Sequence, residues 1–407
     1  MRSTPVPGHT PLRRYALWTP RSSDDQPEIH DLNDFFRLSA ILNMQLSAKS
    51  VGKPNIISVI YGQREISPQD SQLLQSVLEY LGTAYGESRR KLGSLALLHP
   101  LRAASLLAKA SDEPSTLDLL TELLHDKLED LTPDELGKQR WKESEDQFQA
   151  LLKTIDPLDE WYLMERLEWL TRQPDDTYFG YIGRLLDHAE QTPSLVAVKL
   201  ADRLDNTLDM RIDLRDPIEG VDFFATMFQV GFVNSYSGYV PVGPHPQPSP
   251  LNGAQRLYQL FKNAVLLSLI RQRGLDQSTE GILTLFNGLT LASMKEAQRT
   301  VLHIFGYHLT EVSKQRDLLM TAMTYAQSGG MDRVTRPREG QPLDGLFVSC
   351  FDDSDREIRD HRLDALYEDK ELMVLASLAF IVIFLSFLDE PTFSIADMTE
   401  AGILPRE

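Results

Sequence analysis

Three segments of this 407-residue chain repeat apolar residues at helical spacing and carry histidine or aspartate on the opposite side. No other feature limits the fold as much, because such helices must bury one face and gather the other. In LLTELLHDKLEDL (119–131), at ~100° per residue, His125, Asp126, Glu129 and Asp130 fall within an arc of roughly 140°. Leu120, Leu124, Leu128 and Leu131 occupy the other side. Around VAVKLADRLDN (196–206), Lys199, Asp202, Asn206 and Asp209 lie within roughly 80° of one another. Ala197, Leu200, Ala201, Leu204 and Leu208 face away from them. In LLHPLRAASLL (97–107), His99 precedes Pro100. Proline disfavours α geometry in the residue before it and suits the first turn of a helix, so His99 is expected at a helix entrance.

Brought together, His99, His125, Asp126 and Asp202 offer two imidazoles and two carboxylates to one divalent ion. Mixed nitrogen and oxygen donors suit Mn²⁺, Fe²⁺ or Mg²⁺ better than a thiolate-seeking metal. An ion that prefers six ligands keeps positions open for water and substrate oxygens, which is the layout of a hydrolase. Each motif alone has an ordinary reading: a solvated His-Asp pair, an acidic helix end, an amphipathic turn with salt bridges. Their order, each on its own helix with the polar members turned from the apolar stripe, favours the metal site.

The set SRRK (88–91), HP (99–100), LLHDKLED (123–130) and KLADRLDN (199–206) resembles the HD-domain metal phosphohydrolases. It is most similar to the alarmone (p)ppGpp hydrolases, which include the hydrolase domain of RelA/SpoT-type enzymes and the free-standing small alarmone hydrolases. The Glu-Asp pair after His-Asp is more specific than the HD signature itself. YFGYIGRLL (178–186) adds to the likeness, which covers roughly 68–215. The resemblance implies an all-α HD-domain helical bundle. It also implies removal of the 3′-pyrophosphate from (p)ppGpp or a close analogue, with Mn²⁺, Fe²⁺ or Mg²⁺ as cofactor. Nothing resembling the synthetase half of the long bifunctional enzymes is found, and the Trp-rich stretch 141–170 reads as an insertion.

Beyond these motifs, the organisation reads as an N-terminal extension (1–66), an HD-type phosphohydrolase domain (67–234), a Pro-rich linker (235–250) and a helical C-terminal domain (251–407). SYSGYVPVGPHPQPSP (235–250) holds five prolines in sixteen residues, which precludes helix and sheet. Residues 1–30 read as extended, DLNDFFRLSAILNMQLSA (31–48) as a helix, and 52–64 as a short strand or loop. A second loop is expected at 328–342, between helical runs at 251–274, about 276–328, and from about 355.

A net charge of −18 argues against bulk nucleic-acid or anionic-membrane binding. One cysteine, Cys350, excludes a disulfide framework and a cysteine zinc site. The N-terminus shows no apolar signal-peptide core, so a cytoplasmic enzyme is expected. LMVLASLAFIVIFLSFL (372–388) runs 17 residues without a charge, but its acidic flanks anchor a membrane span poorly, so a buried core helix is expected. His188, His245, His303, His308 and His361 lack metal spacing and read as ordinary surface or core residues.

The roles follow. His99, His125, Asp126 and Asp202 hold the metal. Glu129 and Asp130 are the catalytic pair that orients or deprotonates water. Arg89, Arg90, Lys91 and Asn206 bind the nucleotide substrate. Residues 251–407 are available to an oligomer or protein partner. Two other readings stand beside this one: an HD phosphohydrolase for another nucleotide, and a non-enzymatic, metal-bound helical interaction protein.

Overall fold

The computed structural model describes residues 56–58, 60, 66–110, 115–210, 220–242, 245, 249–338 and 341–404. The expected extended segment at 1–30 and the helix at 31–48 lie outside them. Among the described residues the fold is all-α, apart from an antiparallel hairpin of β1 (Met398–Thr399) and β2 (Gly402–Ile403). The strand or loop expected within 52–64 is corrected where it is described: residues 56–58 and 60 are helical. The spacing of Ile57 and Ile60 explains this, since one turn buries both, at 5% and 1% exposure.

Helix α1 (Pro68–Tyr85) starts where Ser67 accepts a hydrogen bond from the Asp70 amide and proline fills the first turn. Then come α2 (Leu98–Ala110), α3 (Thr116–Leu124), α4 (Lys127–Asp130), α5 (Pro133–Leu136), α6 (Lys138–Leu152), α7 (Pro157–Leu170), α8 (Tyr178–Ala189) and α9 (Ser194–Asp209). The three metal-motif segments sit on α2, on the break between α3 and α4, and on α9, and these elements pack on one another. His99 lies within the first turn of α2 rather than just before it. The single helix expected across 119–131 is interrupted. His125 closes α3 with φ −56° and ψ −37°, and Asp126 opens α4 at φ −85° and ψ 0°.

After α10 (Phe223–Phe232), residues 235–242 contain neither helix nor strand, and Pro241 suits neither. Asn252 and Gln255 form a reciprocal capping box that starts α11 (Gly253–Gln272). That helix ends at Gly274, whose φ of +65° lets the Leu275 amide reach back to the Ile270 carbonyl. There follow α12 (Glu280–Tyr307), α13 (Val312–Gln327), a 3₁₀ turn at Gly330–Arg333 inside the expected second loop, α14 (Leu346–Cys350), α15 (Arg356–Glu368) and α16 (Lys370–Asp389). Helix α16 carries the apolar run 372–388. It is long and apolar enough to cross a membrane, yet 67% of its most apolar window is buried, largely against α12.

Helix α12 also packs on α9 and α2, so the chain beyond the Pro-rich segment shares a core with the motif helices. A buried polar seam ties them. Arg203 of α9 donates to Asn263 of α11, and Asn263 donates to Thr207 of α9 and Ser293 of α12, each at 2.9 Å. Asn263 and Ser293 are fully buried, and such groups fix relative position because every alternative leaves one unsatisfied.

Candidate metal centre

Two imidazoles meet at the heart of the motif helices. The Nε2 atoms of His99 and His125 lie 3.1 Å apart, with both rings nearly fully buried. Behind them, the Nδ1–H of His125 donates to the carbonyl of Glu122 at 2.6 Å. Nδ1 of His99 lies 2.7 Å from Asp205, an ionised carboxylate that only accepts. Each ring thus has its proton at the rear, and the two Nε2 lone pairs face one another. At that separation the lone pairs repel unless a cation, proton or metal, lies between them.

The carboxylates complete the cage. Asp126 approaches His125 Nε2 at 3.0 Å and His99 Nε2 at 3.3 Å. Asp202 approaches the same atoms at 3.7 and 3.4 Å. Ligands ~2.1 Å from one ion stand about 3.0 Å apart at an octahedral edge and about 3.4 Å at a tetrahedral one. The observed spacings span those values, so the residues fit a divalent metal. Donor atoms of His99, His125 and Asp126 all lie within 4.8 Å of one another, and Asp202 joins through both imidazoles.

Electrostatics agree with a site built for positive charge. Burial and the nearby Arg90 oppose protonation of His99, but its bonds to Asp126, Asp202 and Asp205 outweigh them and raise its pKa to about 9. Burial likewise opposes charge on His125, and Asp126 and Asp202 overcome it. Burial works against ionisation of Asp202, yet Lys199 and both imidazoles hold its pKa well below the usual carboxylate range. A metal entering such a cage displaces protons, so its affinity is tied to pH.

Behind the cage stands a group that the sequence reading missed. Asp205 bonds His99 on one side and Arg102 on the other, accepting from Arg102 Nε at 2.7 Å. Asp209 lies 2.9 Å from Arg102 Nη2. Arg102 and Asp205 are fully buried. Glu122 was also missed: it is fully buried with neither carboxylate oxygen hydrogen-bonded, and burial raises its pKa to about 8. The available signal was spacing. Asp205 follows Asp202 by three residues and Glu122 precedes His125 by three, the interval of one helical face.

Of the residues expected to bind substrate, Asn206 contacts the cage at Asp202. Its amide donates to Asp202 at 2.5 Å and its carbonyl oxygen accepts from Arg90 at 2.6 Å. The basic run divides: Arg90 turns in, Arg89 bonds the Gly93 carbonyl in its own turn, and Arg89 and Lys91 are exposed. Because the helix breaks at His125–Asp126, Glu129 and Asp130 do not continue one helical face. Glu129 accepts from the Arg172 amide at 2.7 Å, and Asp130 accepts from the Tyr85 hydroxyl at 3.4 Å. Asp130 sits at the open edge of the site, where surrounding protein and then the Asp126 charge push its pKa up to about 6. On the far side, Lys199 pairs with Asp202 at 2.7 Å and lies 5.2 Å from the Tyr181 ring.

No protein-family profile and no solved structure matches the chain. Over 140 residues it is 30% identical to guanosine-3′,5′-bis(diphosphate) 3′-pyrophosphohydrolase of Aquifex aeolicus (strain VF5). That similarity covers 34% of this chain and only 18% of the relative's length.

Proposed function

We propose that this chain is a metal-dependent phosphohydrolase of the HD type that removes the 3′-pyrophosphate from (p)ppGpp or a close analogue. The facing pair of imidazole Nε2 atoms, 3.1 Å apart and closed by Asp126 and Asp202, carries the reading. Both rings are held from behind, which is how a protein orients metal-ligating histidines. The similarity to a pyrophosphohydrolase supports the choice of substrate class.

A divalent ion held by His99, His125, Asp126 and Asp202 supplies Lewis-acid polarisation and acidifies water. The chain's own groups do the rest. Asp130, with a pKa near 6, is ionised at neutral pH yet basic enough to accept a proton from the attacking water. Glu129, fixed by the Arg172 amide, orients that water from the other side. Water oxygen joins phosphorus, the bond from phosphorus to the 3′ oxygen breaks, and that oxygen leaves with a proton. Arg90, steadied by Asn206, meets the pyrophosphate charge, and one Arg90 nitrogen is buried without a hydrogen-bond partner.

The outward placement of Arg89 and Lys91 leaves fewer basic contacts on that side, which favours as second reading the same chemistry on another phosphorylated nucleotide. Turnover of ppGpp, pppGpp and ppApp with Mn²⁺, products resolved by chromatography, tests both. Release of pyrophosphate from a 3′ position is the expected result. Hydrolysis of none of them by metal-loaded protein overturns the first reading.

A further inference from the structure

One metal ligand and two carboxylates that face the water depend on a helix too short to hold itself. Helix α4 spans four residues, follows Asp126 and carries Glu129 and Asp130. A single turn fixes more torsions than its hydrogen bonds offset, so such a piece takes its position from its neighbours. Helix α6, which opens the stretch that the sequence reads as an insertion, supplies them. Lys127, the first residue of α4, is buried at 6% exposure, although lysine is seldom buried unless paired. Its ammonium donates to Glu145 of α6 at 2.7 Å and lies 4.3 Å from the centre of the Phe148 ring. Phe148 is fully buried, its ring 5.4 Å from that of Tyr80 on α1. The other end of α4 is held through α1. Arg140 of α6 donates to the Ala84 carbonyl at 2.9 Å, and the next residue, Tyr85, donates to Asp130 at 3.4 Å. One helix therefore grips α4 at its start directly and at its end through α1.

We infer that Lys127 is a positioning residue of this site: tied to α6, it sets the turn that aims Asp126 at the metal and Glu129 and Asp130 at the attacking water. The inference rests on the phosphohydrolase reading and gives the inserted helix a part in it. The geometry of the turn shows why an anchor is needed. On an unbroken helix adjacent side chains diverge by ~100° and do not face each other. His125 and Asp126 are adjacent, yet His125 Nε2 and an Asp126 carboxylate oxygen stand 3.0 Å apart. The backbone at Asp126, with φ −85° and ψ 0°, departs from helical values and lets the two side chains meet. Leucine and lysine around it favour continued helix, so the break has to be held from outside the segment. Lys127 follows Asp126 directly, and its bond to Glu145 acts on the backbone where the break occurs. Its ammonium is engaged by Glu145 and Phe148 rather than by a cage residue, so its effect on the metal passes through Asp126.

The test uses the whole chain and three readouts: Mn²⁺ binding by calorimetry, the visible spectrum of the Co²⁺-loaded protein, and turnover of ppGpp. Lys127→Met keeps a long apolar stem against Phe148 while removing the tie to Glu145, so the fold is expected to survive. Its Mn²⁺ affinity should fall about tenfold, the lower end of what groups that orient metal ligands contribute. The Co²⁺ spectrum should change with the ligand geometry. Displaced Glu129 and Asp130 should lower kcat about ten- to a hundredfold. KM should stay near wild type, because Arg90 and Asn206 do not lie on α4. Lys127→Arg, which still pairs with Glu145, should restore most of each. Should the methionine variant fold poorly, Glu145→Gln, at a side chain 26% exposed, should show the same losses in smaller measure. Wild-type Mn²⁺ affinity and Co²⁺ spectrum in the folded variant would overturn the inference. So would a raised KM at wild-type kcat, or an arginine variant no better than methionine. The two readings separate cleanly. Wild-type protein that holds Mn²⁺ but hydrolyses no ppGpp removes the proposed reaction alone, with weaker Mn²⁺ binding in Lys127→Met still supporting the role of Lys127. Wild-type protein that holds no Mn²⁺ removes both.

Discussion

Replacing Asp205 by asparagine tests whether the carboxylate behind His99 positions the metal ligand or only neutralises Arg102. Asp205 and Arg102 are fully buried, and breaking such a pair from one side costs about 3–5 kcal/mol. The amide keeps one acceptor and Asp209 still faces Arg102 at 2.9 Å, so about 3 kcal/mol is expected. The pKa gives a separate estimate. Burial alone would raise the Asp205 value, but Arg102 and the His99 bond bring it to about 2. A folded pKa below the unfolded one means stability present above about pH 4 and lost as pH falls toward 2, worth about 2–3 kcal/mol. Losing the group that fixes His99 should also weaken metal binding about 10–100-fold. Asp209→Asn is the control, because Asp209 touches Arg102 but not His99. Both variants should unfold at lower urea concentration, and only Asp205→Asn should bind Mn²⁺ more weakly by calorimetry. Equal Mn²⁺ affinities in the two folded variants would refute the positioning role.

Asp202→Ala and His125→Ala should each abolish metal retention, measured by elemental analysis, and turnover with it; a variant retaining both would remove that residue from the site. Glu129→Gln should lose turnover while keeping metal and nucleotide affinity, whereas weakened metal binding would make it a support for the ligands. Arg90→Ala should raise KM for the pyrophosphorylated nucleotide roughly ten- to a hundredfold, and Arg89→Ala and Lys91→Ala should leave it unchanged; a shift in the exposed pair alone would refute the division seen here. On α12, His303 packs near His245 and His308, with ring centroids 5.7 and 5.5 Å away. Burial, then the charges of His308, His245, Arg256 and Lys370, lower its pKa to about 4. The neutral ring is thus favoured by folding, so its contribution is complete above about pH 6.5 and fades as pH falls toward 4. Partial exposure reduces this to about 1–2 kcal/mol. His303→Leu should flatten the acid side of the urea-unfolding profile, and an unaltered slope would exclude the histidine cluster as its source.

What the sequence made legible was the phase of each helix. The leucine stripes told which way His125 and Asp202 point, because apolar burial selects one face, and the family resemblance implied the all-α architecture. The break at His125–Asp126 was not legible. Leucine and lysine on either side are good helix formers, and no glycine or proline marks the interruption, so its cause lies in contacts outside the segment. Arg90 was indistinguishable from its neighbours for a different reason. Arg89 pairs with Leu95 across a tight turn while Arg90 bonds Ser94, and extended backbone sends successive side chains to opposite sides.

Asp205 and Asn263 mark the deeper limit. A periodic pattern records that a face is apolar, but not which helix will cover it. Asp205 lies on a motif helix, yet its meaning depends on Arg102 and His99, more than a hundred residues earlier. Asn263 sits in YQLFKNAVLL (258–267), where nothing local separates it from an ordinary exposed amide. In the fold this amide is fully buried and must be satisfied, and its partners lie on α9 and α12. Apolar contacts along α11 are compatible with more than one rotation or slide of the helix, whereas the Arg203–Asn263–Ser293 seam is compatible with few. The seam that makes the core specific therefore also holds in place α9, the helix that carries Asp202 and Asp205.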